Sequence, residues 1–174
     1  GYQTRMLGTT YSDGDSYDAY LRMVSPHKAG LRKLVTDLGL SLNGWEAQPW
    51  PLADEQHPTA WVARQARAIV SDSPTAKPLF LTASFVAPHP PLFPPKEYYE
   101  SYQGTSLPQP AHGNWVDWES LSPKGDRTGH RVLLKGKPLR AAQAGYFGLI
   151  EQLDDEIAPL IEEFKTRSDR AGRP

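Results

Sequence analysis

The chain has 174 residues, of which 39% are hydrophobic and 22% are charged, values that suit a single globular domain. Its formal net charge of −1 offers no bulk charge for binding nucleic acid, and no apolar run approaches the ~18 residues of a membrane helix. Cysteine is absent, which excludes disulfides, a thiolate zinc site and a cysteine nucleophile from this sequence.

The N-terminal half is predicted to alternate short ordered elements with loops. Residues 1–8 form a short apolar–polar run, and residues 8–15 have the composition of a loop. Leucine and valine recur at spacings of three and four over residues 27–38, which predicts a helix. A second helix is predicted over residues 59–72, where Pro58 stands at the position that proline favours in a first turn.

Residues 79–85 form a nearly continuous apolar run between Pro78 and Pro88. Its length favours a strand, and an apolar run is typical of the interior of a parallel sheet covered by helices on both faces. The strand leads into a loop with prolines at positions 88, 90, 91, 94 and 95, and this loop carries His89. Because prolines restrict the backbone and strand-end loops in α/β proteins face a crevice, we expect a rigid loop that presents the imidazole.

The C-terminal half contains one weak region and one strong helix. A short helix is predicted over residues 96–102, whereas residues 103–137 show no element and are expected to be a loop-rich insertion in a single domain spanning residues 1–174. The last helix has an apolar stripe, and Pro159 is expected to kink or break it, with fraying over residues 167–174. The stripe consists of Tyr146, Leu149, Ile150, Leu153, Ile157, Leu160, Ile161 and Phe164.

Four segments carry motifs of a known family, in the same order as in that family. Residues 78–102 resemble a Pro-Phe-Phe-Leu strand, a Pro-His-x-Pro-x-x-Pro-Pro loop and a tyrosine-rich helix, and residues 1–8 resemble a Gly-Tyr-x-Thr strand. Residues 57–63 resemble the start of the helix before the Pro-His strand, and residues 144–157 a helix with an aromatic pair followed by Asp-Asp. The chain resembles an internal fragment of the catalytic domain of the sulfatase family, the arylsulfatase-like branch of the alkaline-phosphatase superfamily.

The resemblance implies an α/β fold: an incomplete part of an alkaline-phosphatase-like sandwich, with a mostly parallel sheet flanked by helices. It implies a sulfuric ester hydrolase whose nucleophile is a formylglycine made from cysteine or serine, and whose calcium ion polarises the ester. The expected substrate is an aryl or carbohydrate sulfate. No nucleic-acid or membrane partner is expected, and the fragment should need the missing parts of its own domain and be inactive alone.

Three positions inherit expected roles from the family motifs. The family's Pro-His histidine touches the sulfate and helps the ester oxygen depart, which makes His89 the expected catalytic residue. Thr9 and Tyr11 stand where the family has a sulfate-binding Lys and His, so they are expected to contact substrate through hydroxyls that bring no positive charge. Threonine and tyrosine at these places resemble the phosphonate monoester and phosphodiester hydrolases of the superfamily, or residues are missing after Gly8 and the match there is accidental.

Neither of the family's cofactors has ligands in this chain. The Cys/Ser-x-Pro-Ser-Arg motif that yields formylglycine is absent, and the acidic calcium-binding motifs of the family lie outside the sequence. Asp154 and Asp155 stand in the middle of a helix and are expected to be structural. His27, His112 and His130 lack partners at metal-ligand spacing, so no metal site is expected.

A non-enzymatic alternative remains for the proline-rich segment. Residues 88–95 could form a polyproline ligand that docks on an aromatic groove. That alternative predicts a solvated, mobile segment, whereas the apolar strand before it favours a loop built into a sheet. His57, directly before Pro58, is expected to serve at the start of a helix.

Overall fold

The regular structure that is described in this chain is helical. The computed structural model describes residues 3–8, 14–25, 29–111, 113–118 and 132–172. Its helices are α1 (Ser16–Val24), α2 (Leu31–Asp37), α3 (Pro58–Asp72), α4 (Lys96–Gln103) and α5 (Gly136–Arg170), with a 3-10 turn at Asp54–Gln56. Within these ranges, no helix is both long and apolar enough to cross a bilayer.

The predicted parallel sheet does not form among the described residues. Residues 79–85 are extended, as expected of a strand, but the β-pairing found in the described ranges is an isolated parallel bridge between Ala47 and Leu92. A strand is completed by neighbouring strands, and none is present in this part of the chain. The odd-numbered side chains from 79 to 83 pack against α3 and α5, while Phe80 is 79% exposed, so one face of the run is covered rather than two.

Helix α1 is an element that the sequence patterns did not predict. Asp15 caps it, since its side chain accepts a hydrogen bond from the Asp18 N–H at 2.8 Å. Tyr17 and Leu21, one turn apart, are buried in the largest core cluster. The available signal was an aspartate cap before apolar residues spaced by four, which the loop-like composition of residues 8–15 obscured.

Asp18 ties α1 to the start of α2. It is 3% exposed and accepts hydrogen bonds from the Gly14 N–H at 2.9 Å and from Arg22 Nε at 2.7 Å. A Cβ at Gly30, the N-cap of α2, would collide with this carboxylate. Burial by itself would raise the pKa of the Asp18 carboxyl, but the hydrogen bonds from Arg22 and Gly14 and the Arg22 charge hold that pKa below its ordinary value.

Helix α5 is longer than the apolar stripe predicted. Pro159 does not break the helix, which continues through this exposed proline to Arg170. Fraying was expected over residues 167–174, and this is wrong for residues 167–170, which belong to the helix. Arg167 is buried there and donates from Nη2 to the carbonyls of Pro74 at 2.8 Å and Lys77 at 3.0 Å, which ties the last turn to the loop after α3.

The apolar stripe of α5 is wider than the surface that covers it. Leu149 and Leu160 are buried, whereas Tyr146, Ile150 and Ile161 are 43%, 39% and 47% exposed. Helix α5 packs against both α3 and α4 on its buried side. The stripe therefore consists of a buried row and a neighbouring row that the described residues leave partly open to solvent.

Candidate functional site

A cavity of about 30 Å³ lies where six separate segments of the chain meet, including Tyr17 of α1 and Leu31 of α2. Its lining includes Gly8, His57 at the start of α3, His89 with its loop, and Leu149 of α5. These four residues come from the four segments that resemble sulfatase motifs. The fold thus brings together segments that are separated along the chain by helices and loops.

The lining of this cavity is mostly apolar and carries few ionisable groups. Among the described lining residues there is no Asp, Glu, Lys or Arg, and the titratable side chains are Tyr17, His57 and His89. Burial raises the pKa of Tyr17 well above its ordinary value, so this phenol stays neutral. A positive charge at this wall must therefore come from a histidine.

His89 lies on the turn that follows the extended segment and is exposed beside the cavity. Its backbone N–H donates to the Val86 carbonyl at 3.0 Å, and its Nδ1 lies 2.7 Å from the Pro90 carbonyl oxygen. A carbonyl oxygen only accepts, so Nδ1 carries a proton in this contact. The ring nitrogen that changes from acceptor to donor when the imidazole takes up a proton is therefore Nε2.

A short stretch of backbone holds the end of the His89 loop from one side. The Gln48 N–H donates to the Leu92 carbonyl at 3.1 Å, and the Trp50 N–H donates to the Pro94 carbonyl at 2.8 Å, so the two segments run in parallel. Residues 91–95 are all buried. The prolines in this range therefore belong to a packed structure, in which backbone carbonyls accept hydrogen bonds from the neighbouring segment.

Helix α5 holds the same loop from the other side through two glycines. A Cβ at Gly145 would lie 2.9 Å from the Leu92 Cβ, and a Cβ at Gly148 would lie 3.0 Å from the Pro94 Cγ. Both distances are shorter than ordinary van der Waals contact. The loop can approach the helix this closely only because these positions carry no side chain.

His57 caps α3 and forms a buried part of the cavity wall. It is 1% exposed, and its Nδ1 accepts a hydrogen bond from the Thr59 N–H at 3.2 Å, which confirms the predicted position at a helix start. Burial lowers the pKa of the His57 imidazole to about 3, while the nearby Phe93 backbone acts more weakly in the opposite direction. The ring is thus neutral at pH 7 with its proton on Nε2, an atom that makes no hydrogen bond of ordinary geometry among the described residues, although the Phe93 backbone lies beside the ring.

Gly8 is the last described residue before Thr9 and Tyr11, the predicted substrate contacts, and its backbone is held in place by packing. A Cβ at Gly8 would lie 2.8 Å from the Tyr17 Cβ and 3.1 Å from Trp61 Cζ3, so the backbone is pressed against α1 and α3. Thr9 and Tyr11 follow directly but lie outside the described residues. Their contact with substrate stays a prediction.

The described residues do not fit a calcium site or a formylglycine. No cluster of three or more His, Asp or Glu side chains suited to a metal ion occurs in the described part of the chain. Asp155 is exposed on α5 and accepts a hydrogen bond from the Tyr98 hydroxyl at 2.9 Å, in keeping with the structural role expected of it. The sequence also contains no cysteine and no Ser-x-Pro-Ser-Arg, so no residue here has the family's context for conversion to formylglycine.

Aromatic rings beside the cavity are the part of the site that sequence reasoning missed. The rings of Tyr17 and Trp61 lie 5.4 Å apart, and those of Trp50 and Phe93 lie 5.2 Å apart. These four residues come from α1, α3 and two different loops. No local pattern connects them, and their only sequence signal was that large aromatic side chains tend to be buried.

Comparison with known proteins gives one consistent answer. The family model described as Sulfatase matches residues 1–171. An arylsulfatase of Clostridium perfringens (strain 13 / Type A) is 35% identical over 145 residues, which is 83% of this chain and 30% of that protein. The chain thus spans about 30% of the length of the curated relative that it matches. Together with the four motif segments that meet at one cavity, these matches show that the chain belongs to the sulfatase family.

Proposed function

We propose that this chain contributes the His89 side of the active site in a sulfatase-type hydrolase that cleaves sulfate esters. The observation that carries the proposal is the common cavity of His89, Gly8, the start of α3 and α5. At about 30 Å³ the cavity has room for roughly two water molecules. It therefore suits one wall of a larger site, completed by other parts of the α/β catalytic domain and its sheet.

The scarcity of ionisable side chains in the cavity wall supports His89 as the group that contacts the ester. A sulfate monoester is an anion, and His57 is too deeply buried to become a cation at neutral pH. His89 is exposed and has Nδ1 engaged by the Pro90 carbonyl. When protonated, its ring offers an anionic ester a positive charge that no other described lining residue supplies.

The chemistry assigned to His89 is proton donation to the leaving oxygen. When a nucleophile attacks sulfur, the bond between sulfur and the ester oxygen breaks, and that oxygen leaves with the bonding electron pair. Nε2–H of the imidazolium transfers its proton to this oxygen, so an alcohol or phenol departs and the ring becomes neutral. The nucleophile, and the formylglycine and calcium typical of the family, come from outside the described residues.

A second hydrolase activity is favoured by the residues that follow Gly8. Thr9 and Tyr11 bring hydroxyls where a lysine and a histidine would bring positive charge. Threonine and tyrosine at these places resemble the phosphodiester and phosphonate monoester hydrolases of the superfamily, whose substrates carry the same single negative charge as a sulfate monoester. The non-enzymatic alternative, a free polyproline ligand, receives less support, because residues 91–95 are buried against α5 and the 47–50 segment.

The test is hydrolysis by the full-length protein that contains this chain. Candidate substrates are 4-nitrophenyl sulfate, bis(4-nitrophenyl) phosphate and a 4-nitrophenyl phosphonate monoester, compared by kcat/KM. We expect the sulfate to be preferred, and His89→Ala to lower kcat by ~10²–10⁴-fold, the usual share of a positioned acid–base group. Lys96→Ala is the control, because this exposed lysine follows the loop without lining the cavity.

Three results would contradict parts of the proposal. Preference for the phosphodiester or the phosphonate would assign the protein to the sibling activity. An unchanged kcat in His89→Ala would remove His89 from the chemistry. Absence of turnover with all three substrates, combined with tight binding to a polyproline-recognition domain, would favour the binding module.

A further inference from the structure

His57 is buried between the start of α3 and the end of the His89 loop. Its ring centroid lies 5.2 Å from that of Trp50, with the planes at 80°, and 5.5 Å from that of Phe93, with the planes at 68°. Both contacts are edge-to-face arrangements of the kind that aromatic rings prefer. The imidazole thus fills a slot that two aromatic rings from different loops define.

The two ring partners of His57 are connected to the His89 loop by backbone hydrogen bonds. The Trp50 N–H donates to the Pro94 carbonyl at 2.8 Å, and the Phe93 N–H donates to the Pro91 carbonyl at 3.1 Å. The Trp50 indole N–H is itself fixed to the Ala53 carbonyl at 3.1 Å. A displacement of the ring at position 57 would therefore displace the backbone that follows His89.

Little freedom remains between His89 and Phe93 to absorb such a displacement. Two of the three intervening residues are prolines, whose rings fix φ. The third, Leu92, is 1% exposed and is held by the Gln48 N–H and by close contact with Gly145. Because this stretch is short and stiff, the position of Phe93 and the position of His89 are coupled.

We propose that His57 is a positioning residue, whose buried ring sets the His89 loop at the correct distance from the start of α3. The hydrogen bond and the ring contacts of His57 have different roles. The hydrogen bond from Thr59 to Nδ1 stabilises α3, while ring packing on Trp50 and Phe93 positions the loop. The effect on catalysis rests on the proposed function, but the effect on the His89 loop does not.

Two substitutions separate these contacts. His57→Phe keeps a ring between Trp50 and Phe93 and removes the capping acceptor, whereas His57→Asn keeps a good N-cap acceptor and removes the ring. In the full-length protein, we expect His57→Asn to lower kcat by ~10-fold or more with little change in KM, since small misplacements of a catalytic group act mainly on the transition state. His57→Phe should unfold at a lower temperature yet retain kcat within a few-fold of the native value.

A purely structural role gives the opposite pattern. If His57→Asn, measured at a temperature where circular dichroism shows it folded, has a native kcat, the positioning role is wrong. If His57→Asn does not fold, Phe93→Leu tests the same ring contact from the other side and should lower kcat in the same way. A native kcat in folded Phe93→Leu would likewise overturn the proposal.

A measurement on the 174-residue chain, made under conditions where circular dichroism shows it folded, keeps this proposal separate from the hydrolase assignment. The chain has five histidines, so ¹³C-histidine labelling gives five Cε1–H signals, and His89→Gln identifies the one from His89. We expect the His89 signal to shift in His57→Asn and to stay near its native position in His57→Phe and in the Lys96→Ala control. An unmoved His89 signal in His57→Asn would refute the coupling, whether or not any sulfate ester is hydrolysed.

Discussion

Gly145 of α5 lies directly against Leu92 of the His89 loop. A Cβ at Gly145 would stand 2.9 Å from the Leu92 Cβ and 2.7 Å from the Ala47 Cβ. The same helix position therefore limits the approach of both the loop and the 47–50 segment that pairs with it. Because the loop ends here, the absent side chain at Gly145 limits, together with that at Gly148, how close the loop lies to α5.

Gly145→Ala should destabilise the 174-residue chain by ~1–3 kcal/mol, the usual cost of overpacking a well-filled contact. This loss should appear even though alanine is favoured over glycine within a helix by ~1 kcal/mol. The measurement is the free energy of unfolding from chemical denaturation. Gly104→Ala is the matched control, since its Cβ would meet nothing within 4 Å and its φ is −91°. Stability equal to or above native for Gly145→Ala would contradict the close contact.

His57 should make stability depend on pH over a defined window. Its pKa in the folded chain is about 3, below its ordinary value of 6.5, so between these values the unfolded chain binds a proton that the folded chain excludes. Stability should therefore fall as pH is lowered from about 6.5 towards 3, by up to ~1.4 kcal/mol per pH unit. Denaturation at several pH values measures this slope, which should flatten in His57→Phe. A variant as pH-dependent as the native chain would show that His57 is not the source.

Asp18→Asn should destabilise the chain by ~1.5–3 kcal/mol at pH 7, the range for a hydrogen bond to a charged group. The folded pKa of the Asp18 carboxyl is below its ordinary value of 3.8, so its contribution is present at neutral pH and is lost as pH falls below that value. The difference between native and variant should therefore narrow in acid. Asp37→Asn is the control, because its ion pair with Lys33 is exposed and worth little. Equal effects of the two substitutions would be inconsistent with the buried role of Asp18.

Arg167→Met should destabilise the junction between the last turn of α5 and the loop after α3. The substitution removes the donors to the Pro74 and Lys77 carbonyls, at a cost of ~0.5–1.5 kcal/mol, the usual net contribution of a hydrogen bond, because these two residues are exposed and water can replace the lost donors. Limited proteolysis should then cut more readily near residue 77. Arg170→Met, at an exposed position in the same turn, serves as the control. Native resistance to proteolysis in Arg167→Met would argue against this tether.

The 174-residue chain by itself should not turn over an aryl sulfate. It has no cysteine and no Ser-x-Pro-Ser-Arg motif, and its described residues form no metal cluster, so the expected nucleophile has no source within it. The measurement is release of 4-nitrophenol from 4-nitrophenyl sulfate by purified chain, with a mock purification to control for contaminating sulfatase. Turnover above that control would disprove the prediction.

Local sequence patterns predicted the elements that depend on near neighbours. The helical spacing of apolar residues located α2, α3 and α5, and the prolines around His89 indicated a stiff loop, because these signals concern residues within a turn or two of one another. The family motifs also depend on local order, and the match over residues 1–171 confirmed the family that they indicated. The absence of cysteine, and with it of a cysteine nucleophile, needs only the sequence.

Tertiary structure decided what is buried and which distant residues meet. His57 reads locally as a helix cap, and only packing by Trp50 and Phe93 makes it a buried neutral ring. Residues 79–85 have the composition of a strand covered on both faces, yet they are packed on one face, since covering a face requires partners that a local pattern does not contain. The sequence alone therefore determined the family and the proline-rich loop that carries His89. The three-dimensional contacts determined how that loop is held, because desolvation and close approach depend on residues far apart in the chain.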